Sequence, residues 1–316
     1  YGLALKPEGE PNLFNQLKLS ERMNHAICDV NDVDSVKTRI FEADPDIVFH
    51  LAAQSLVRRS YKQPLVTWQT NVMGTANILD SLLNIQKPCS VIIVTTDKVY
   101  ENNSEKKTFV EVDRLGGHDP YSASKAATEL VAESWRKSFY ENKEIRIATA
   151  RAGNVIGGGD WSEDRLLPDL ARAFSSGQTL TVRNKNSVRP WQHVIDPLVG
   201  YITLAEQLSS DRAPKLEKAF NFGPSPTNAT SVSEVIREAL KYWSGTIEES
   251  QKNNALHESS HLAICSDSAK KLLGWEPRWN ISKSVKETIV WYREVAKGAN
   301  PADLTKAQIE KYWRAT

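Results

Sequence analysis

Residues 90–103 read "SVIIVTTDKVYENN". Four apolar residues run into Thr95, Thr96, Asp97 and Lys98, and the run fits a strand covered on both faces. A hydroxyl, an acid and an amine therefore stand side by side where a buried strand ends. Ordinary solvated punctuation at a strand end has the same composition, so the neighbouring segments decide between the two readings.

Those neighbours alternate between strand and helix. Upstream, "YGLAL" opens the chain as a short strand, and "HAICDV" (25–30) is a second, followed by a helix near Val33–Phe41 with Val33, Val36 and Ile40 on one face. "DIVFHLAA" (46–53) is a third strand, buried by its continuous apolar run, and a helix from Leu65 to Leu83 leads into the quoted stretch. Downstream, "HDPYSASKAATELVAESWRKSFY" (118–140) is a long helix in which Asp119 caps the start and Pro120 fits the first position. "IRIATARAG" (145–153) is the next strand. The alternation predicts an α/β fold with a doubly wound parallel sheet. After about Gly153 the strands shorten ("TLTV", "AFNFG"), and helices at 231–243 and 282–297 are interspersed. A smaller C-terminal lobe, 154–316, is expected there, interleaved with the last strands of the sheet, with ligands in the cleft between lobes.

Composition excludes several classes. Forty Lys and Arg balance 39 Asp and Glu, so no basic field argues for nucleic acid or a membrane surface. The three cysteines form no C-x-x-C pair and the six histidines have no metal-ligand spacing, so neither metal site nor disulfide framework is expected. With no membrane-length apolar run and no signal-peptide pattern, the expectation is a soluble cytoplasmic protein.

Tyr121 and Lys125 stand four apart near the start of the long helix and share a face. A tyrosine relays a proton to or from an alcohol once its phenolate is stabilised. A lysine one turn away and a cationic nicotinamide would provide that. Tyr-x-x-x-Lys is a weak motif alone, but it occurs once in this chain, on the helix after the quoted strand.

On these segments the chain resembles the extended short-chain dehydrogenases/reductases that act on nucleotide-activated sugars, over essentially its whole length. "CDVND" (28–32), "FHLAAQ" (49–54), "TNVMGT" (70–75), "TTDKVY" (95–100) and "YSASK" (121–125) carry the likeness. "RAGNVIGGGDW" (151–161), "RLLPDL" (165–170) and "RNKNSVRPWQHV" (183–194) resemble the branch that dehydrates CDP-glucose. The resemblance implies a Rossmann-like domain over 1–153 that binds NAD through Asp29, Val30, Leu51, Ala52, Ala53, Asn71, Thr95, Tyr121 and Lys125. It implies a sugar-nucleotide substrate, CDP-glucose, held by Gln54, Arg58, Asn154, Arg165, Arg189 and Trp191. Arg165 and Arg189 suit the diphosphate because a guanidinium pairs bidentately with it. Trp191 is read equally as packing or as a nucleotide contact. His193 is read as a packed histidine and kept out of the catalytic set.

The implied reaction oxidises C4, eliminates water across C5 and C6, and returns the hydride to C6. Tyr121 takes the 4-hydroxyl proton, Thr96 binds the 4-oxygen, Asp97 is the acid at O6, and Lys98 serves C5. Neighbours on a regular strand point to opposite faces, so Asp97 and Lys98 can both serve one sugar only if the strand breaks there. Burial favours a protonated acid and a neutral amine while direct pairing opposes both, so no tight Asp97–Lys98 salt bridge is expected in the liganded enzyme. Lysine at 98 departs from the glutamate of the dTDP-glucose dehydratases, which leaves open whether Lys98 is the base or holds a water that is.

The chain has no strand running into a glycine-rich turn. Its only glycine cluster, Gly157–Gly159, follows a different strand. By resemblance, "YGLAL" is the second strand of the fold. The first strand and the pyrophosphate loop are then missing, and the 316 residues are expected to bind NAD weakly or not at all. Alternatives on the same scaffold are a GDP-mannose or dTDP-glucose dehydratase and a 4-epimerase, which needs no acid and base at C5 and C6. A non-catalytic nucleotide-sugar binder is the alternative from another class. The helices at 65–83 and 120–140 commonly pair across dimers in the resembling family, which implies a homodimer or homotetramer. Downstream, 3,6-dideoxyhexoses of bacterial surface polysaccharide are implied.

Overall fold

The computed structural model describes residues 1–103, 107–141, 143–210, 216, 218–225, 229–250 and 261–314. The first half runs β1 (Gly2–Ala4), α1 (Leu13–Gln16), β2 (His25–Ile27), α2 (Val33–Ala43), β3 (Ile47–His50), α3 (Val57–Lys62), α4 (Pro64–Trp68), α5 (Gly74–Ser81), β4 (Cys89–Val94), β5 (Thr108–Phe109), α6 (Pro120–Phe139) and β6 (Ile145–Ala152). The second half runs β7 (Val155–Ile156), α7 (Leu166–Ser175), β8 (Leu180–Val182), β9 (Val188–Arg189), β10 (Gln192–His193), α8 (Ile195–Leu208), β11 (Ala219–Phe222) and β12 (Thr230–Ser231). It ends with α9 (Val232–Leu240), β13 (Ile247–Glu249), β14 (Ala263–Ile264), α10 (Ile281–Ala296) and α11 (Pro301–Arg314).

The quoted stretch lies at the centre. β4 pairs in parallel with β3 on one side and β6 on the other, and β11 pairs in parallel with β6. Its side chains alternate between two cores, as strand geometry requires. Val91 and Ile93 pack with Val36, Leu79 and Ile147 under α2, α5 and α6. Ile92 packs with Leu204, Phe220 and Phe222 under α8. Full burial of each such side chain contributes about 2 kcal/mol. A third core gathers Leu167, Leu170, Val235, Ile289 and Trp191 in the second half. A Cβ on Gly153 would lie 2.5 Å from Pro190, so only glycine lets the end of β6 meet the Arg189–Trp191 turn this closely.

The helix at 118–140 starts where its cap predicts. Asp119 accepts from the Ser122 amide at 3.0 Å and Pro120 occupies the first turn. Two expectations need correction. The stretch from Pro64 is not one regular helix: a π turn, Gln69–Met73, separates α4 from α5 and turns Asn71 fully inward. β3 is not buried on both faces: Ile47 is 42% and Phe49 39% exposed, while Val48 packs inward. The Ile47 and Phe49 face has no covering layer among the described residues, and the sheet is also split beside it. β1 and β2 form a separate parallel pair, and among the described residues no strand bonds the β3 edge opposite β4. No helix of the described residues is long and apolar enough to cross a membrane.

Candidate active site

β4 ends at a break. Thr96 caps a 3-10 turn, Asp97–Val99, accepting from the Lys98 amide at 3.4 Å and donating to Asp97 Oδ1 at 3.0 Å. The break is the condition set above for Asp97 and Lys98 to act at one place. Thr96, Lys98, Tyr121, Asn154, Arg165 and Arg189 all line a single cleft of about 770 Å³. Asp97 lies beneath them at 0% exposure, and its Oδ2 has no hydrogen-bond partner. An unpartnered buried carboxylate oxygen is costly unless a ligand satisfies it.

Lys98 Nζ lies 3.1 Å from Asp97 Oδ1 and 3.4 Å from Asn154 Oδ1. The expectation of no tight pair concerned the liganded enzyme. Here the Lys98 amine stands directly beside the buried Asp97 carboxyl group.

Tyr121 and Lys125 are both buried on the inner face of α6. Burial pushes the Tyr121 phenol up to about 12. The Thr96 hydroxyl opposes this shift and the Asp97 charge adds to it. The sequence reading called for a stabilised phenolate, and among the described residues no hydrogen bond joins Lys125 to the phenol. Its ammonium donates to the Val94 carbonyl at 2.9 Å. Burial lowers Lys125 to about 8, against the pull of Glu129.

The other expected cofactor residues separate into two groups. Leu51 is half exposed, and Ala52 and Ala53 are partly buried, at the open end of β3. Asp29 is exposed and accepts from the Asn31 amide, while Val30 is buried against Gly74. Asn71 instead spends its amide inside the protein, accepting from the Gln54 amide at 2.8 Å and donating to Gln54 O and Ser124 Oγ. Thr95 donates to Glu129 Oε1 at 2.5 Å. These two side chains hold the loops rather than offering free polar groups. The same correction applies to Gln54 on the substrate side, whose side chain bonds Leu56 and Thr67.

Two of the three expected substrate arginines are held by acids. Arg165 pairs with Asp160 at 2.9 Å and reaches Ser55, and Arg58 lies 3.5 Å from Asp164. Arg189 is buried and donates to the Val188 carbonyl. Trp191 belongs to the third core, donates to Thr230 O at 3.0 Å, and also lines the cleft. His193 is buried outside the cleft lining, and burial lowers it to about 4. The sequence reading missed Arg183, which lines the cleft and pairs with Asp164. Its signal was available: it opens the "RNKNSVRPWQHV" segment already quoted.

The family described as GDP-mannose 4,6 dehydratase matches residues 10–288. The chain belongs to this family. It is 38% identical to the CDP-glucose 4,6-dehydratase of Salmonella typhimurium over 100% of this chain and 89% of that one. Among solved structures it resembles the UDP-glucuronic acid 4-epimerase of Bacillus cereus, with a TM-score of 0.74 at 20% identity over 89% of this chain and 85% of that one. It also resembles the dTDP-glucose 4,6-dehydratase of Bacillus anthracis, with a TM-score of 0.74 at 21% identity over 92% and 86%. Both share the α/β fold of this chain, a parallel sheet with helices alternating between its strands.

Proposed function

We propose that this chain converts CDP-glucose to CDP-4-keto-6-deoxyglucose, with NAD as its cofactor. The observation that carries the reading is the turn at 96–98, which sets an acid and an amine behind a hydroxyl at the cleft that Tyr121 lines. The 38% identity to a protein named for that reaction supports it.

Each residue then has one task. Thr96 binds the 4-oxygen and Tyr121 takes the proton of the 4-hydroxyl. The 4-ketone acidifies the C5 proton, which Lys98, or a water it holds, removes. Asp97 gives a proton to the departing 6-hydroxyl through Oδ2, the oxygen left without a partner. NAD supplies the hydride exchange when bound, from C4 and back to C6, so none is consumed overall. Residues 1–153 hold the cofactor and 154–316 mainly the sugar nucleotide, with Arg58, Arg165 and Arg189 on the diphosphate and Asn154 and Trp191 on the rest. The donor set fits the cofactor at its nicotinamide end. There the buried Lys125 ammonium spends one bond on Val94 O, which leaves N–H groups for ribose hydroxyls. We place the enzyme in the cytoplasm as a homodimer or homotetramer.

A 4-epimerase would need Thr96, Tyr121 and Lys125 but neither Asp97 nor Lys98. Incubation with CDP-glucose and excess NAD+ separates the two readings. Dehydration gives a 4-keto sugar seen by its alkali-dependent absorbance. A 4-epimer without that absorbance would overturn the proposal.

A further inference from the structure

Behind the cleft lies a buried ion pair to which the reaction assigns no role. Glu129, on α6, and Arg151, on β6, are both buried and meet twice: Nε to Oε1 at 2.9 Å and a terminal nitrogen to Oε2 at 2.9 Å. Thr95 completes the Oε1 side and Thr149 donates to Oε2 at 2.7 Å, so the carboxylate takes four donors. Burial pushes the Glu129 carboxyl up. The bonds from Arg151, Thr95 and Thr149 outweigh it and hold the group below the usual carboxylate range. Arg151 goes on to donate to the Tyr100 hydroxyl and to Glu111 O, both at 2.9 Å, and sits over the Tyr100 ring.

Thr95 and Tyr100 bracket the turn that carries Thr96, Asp97 and Lys98. The ion pair therefore grips that turn at both ends, Glu129 at Thr95 and Arg151 at Tyr100. Glu129 also stands one helical turn beyond Lys125, which holds Val94 O next to the same grip. Two side chains of one helix face thus pin the strand end onto α6.

We propose that Glu129 and Arg151 are positioning residues: the pair fixes the 95–100 turn against α6 and gives the Lys125 ammonium its counter-charge. The first half rests on the reading of Thr96, Asp97 and Lys98 as reacting groups. The second half does not. The charge acting on Lys125 is Glu129 on its own helix, and the neighbour that feels Lys125 in turn is His50 on β3. His50 is buried and neutral, its affinity for a proton lowered by burial and then by Lys125 itself.

The test is a pH titration of the lysine signals by NMR in protein labelled with carbon-13 at lysine Cε, with Lys125→Met to assign the resonance. Wild type, Glu129→Gln and the double variant Glu129→Gln/Arg151→Met are compared. The double variant strands neither partner of the ion pair, so it keeps the test alive if the single variant does not fold. The proposal expects Lys125 to titrate near 8 in wild type and to bind its proton about tenfold more weakly in each folded variant. An unchanged titration in the double variant overturns the counter-charge. With excess NAD+ and CDP-glucose, the double variant is expected to lose about 100-fold in kcat with KM unchanged, the signature of misplaced reacting groups. A KM rise with kcat intact overturns the positioning. The titration needs no substrate, so a failure of the functional reading alone would leave its result standing.

Discussion

Two acid–base pairs meet at the same turn and are built in opposite ways. Glu129 and Arg151 meet through two bonds, both buried, with every carboxylate lone-pair direction answered by a donor. Asp97 and Lys98 meet through one contact of 3.1 Å, with Lys98 26% exposed and Asp97 Oδ2 unanswered. A satisfied buried pair rigidifies its surroundings, whereas a half-satisfied one is costly to the fold. The contrast fits the roles proposed for them, with the first pair holding the turn and the second meeting the sugar.

The largest expected effect breaks the second pair. Asp97→Asn should slow formation of the 4-keto sugar by about 10³- to 10⁴-fold without weakening the fold, measured by steady-state assay and urea unfolding. A clear loss of stability would mean that Asp97 is structural like Glu129. Next, Arg151→Met strands the Glu129 carboxylate and should cost about 3 kcal/mol in urea unfolding. A cost near zero would erase the contrast from the other side.

A third test sharpens the electrostatics between the pairs. Lys125 binds its proton more weakly folded, near 8, than unfolded, near 10.5, so the unfolded chain carries more protons between those values. Stability should therefore rise with pH across that window. Below it, Lys125→Met should be more stable than wild type by about 3 kcal/mol, while losing activity. A variant no more stable than wild type at neutral pH would contradict the burial cost. The smallest effect lies at the rim. Arg165→Ala should raise KM for CDP-glucose about tenfold with kcat unchanged, because the diphosphate must first replace Asp160 on that arginine.

Local signals carried much of this into the sequence. The cap at Asp119 and the proline after it set the start of α6, and the run Val91–Val94 set β4. The four-residue spacing of Tyr121 and Lys125 put both on one face. What the sequence could not carry was the direction of side chains whose partners lie far along the chain. Thr95 and Asn71 fall in segments that look like cofactor loops, yet Glu129 and Gln54 claim them. Arg151 finds Glu129 across 22 residues and Asp164 finds Arg183 across 19. The apolar run of β3 read as buried because periodicity reports composition, and it cannot report that one face lacks a covering layer.

The most direct test follows a deuterium atom. With CDP-glucose deuterated at C4 and excess NAD+, the account predicts a 4-keto-6-deoxy product carrying the deuterium in its new methyl group, read by NMR and mass spectrometry. Deuterium retained at C4 of an epimerised sugar, or a 4-keto product whose methyl group carries none, would contradict it.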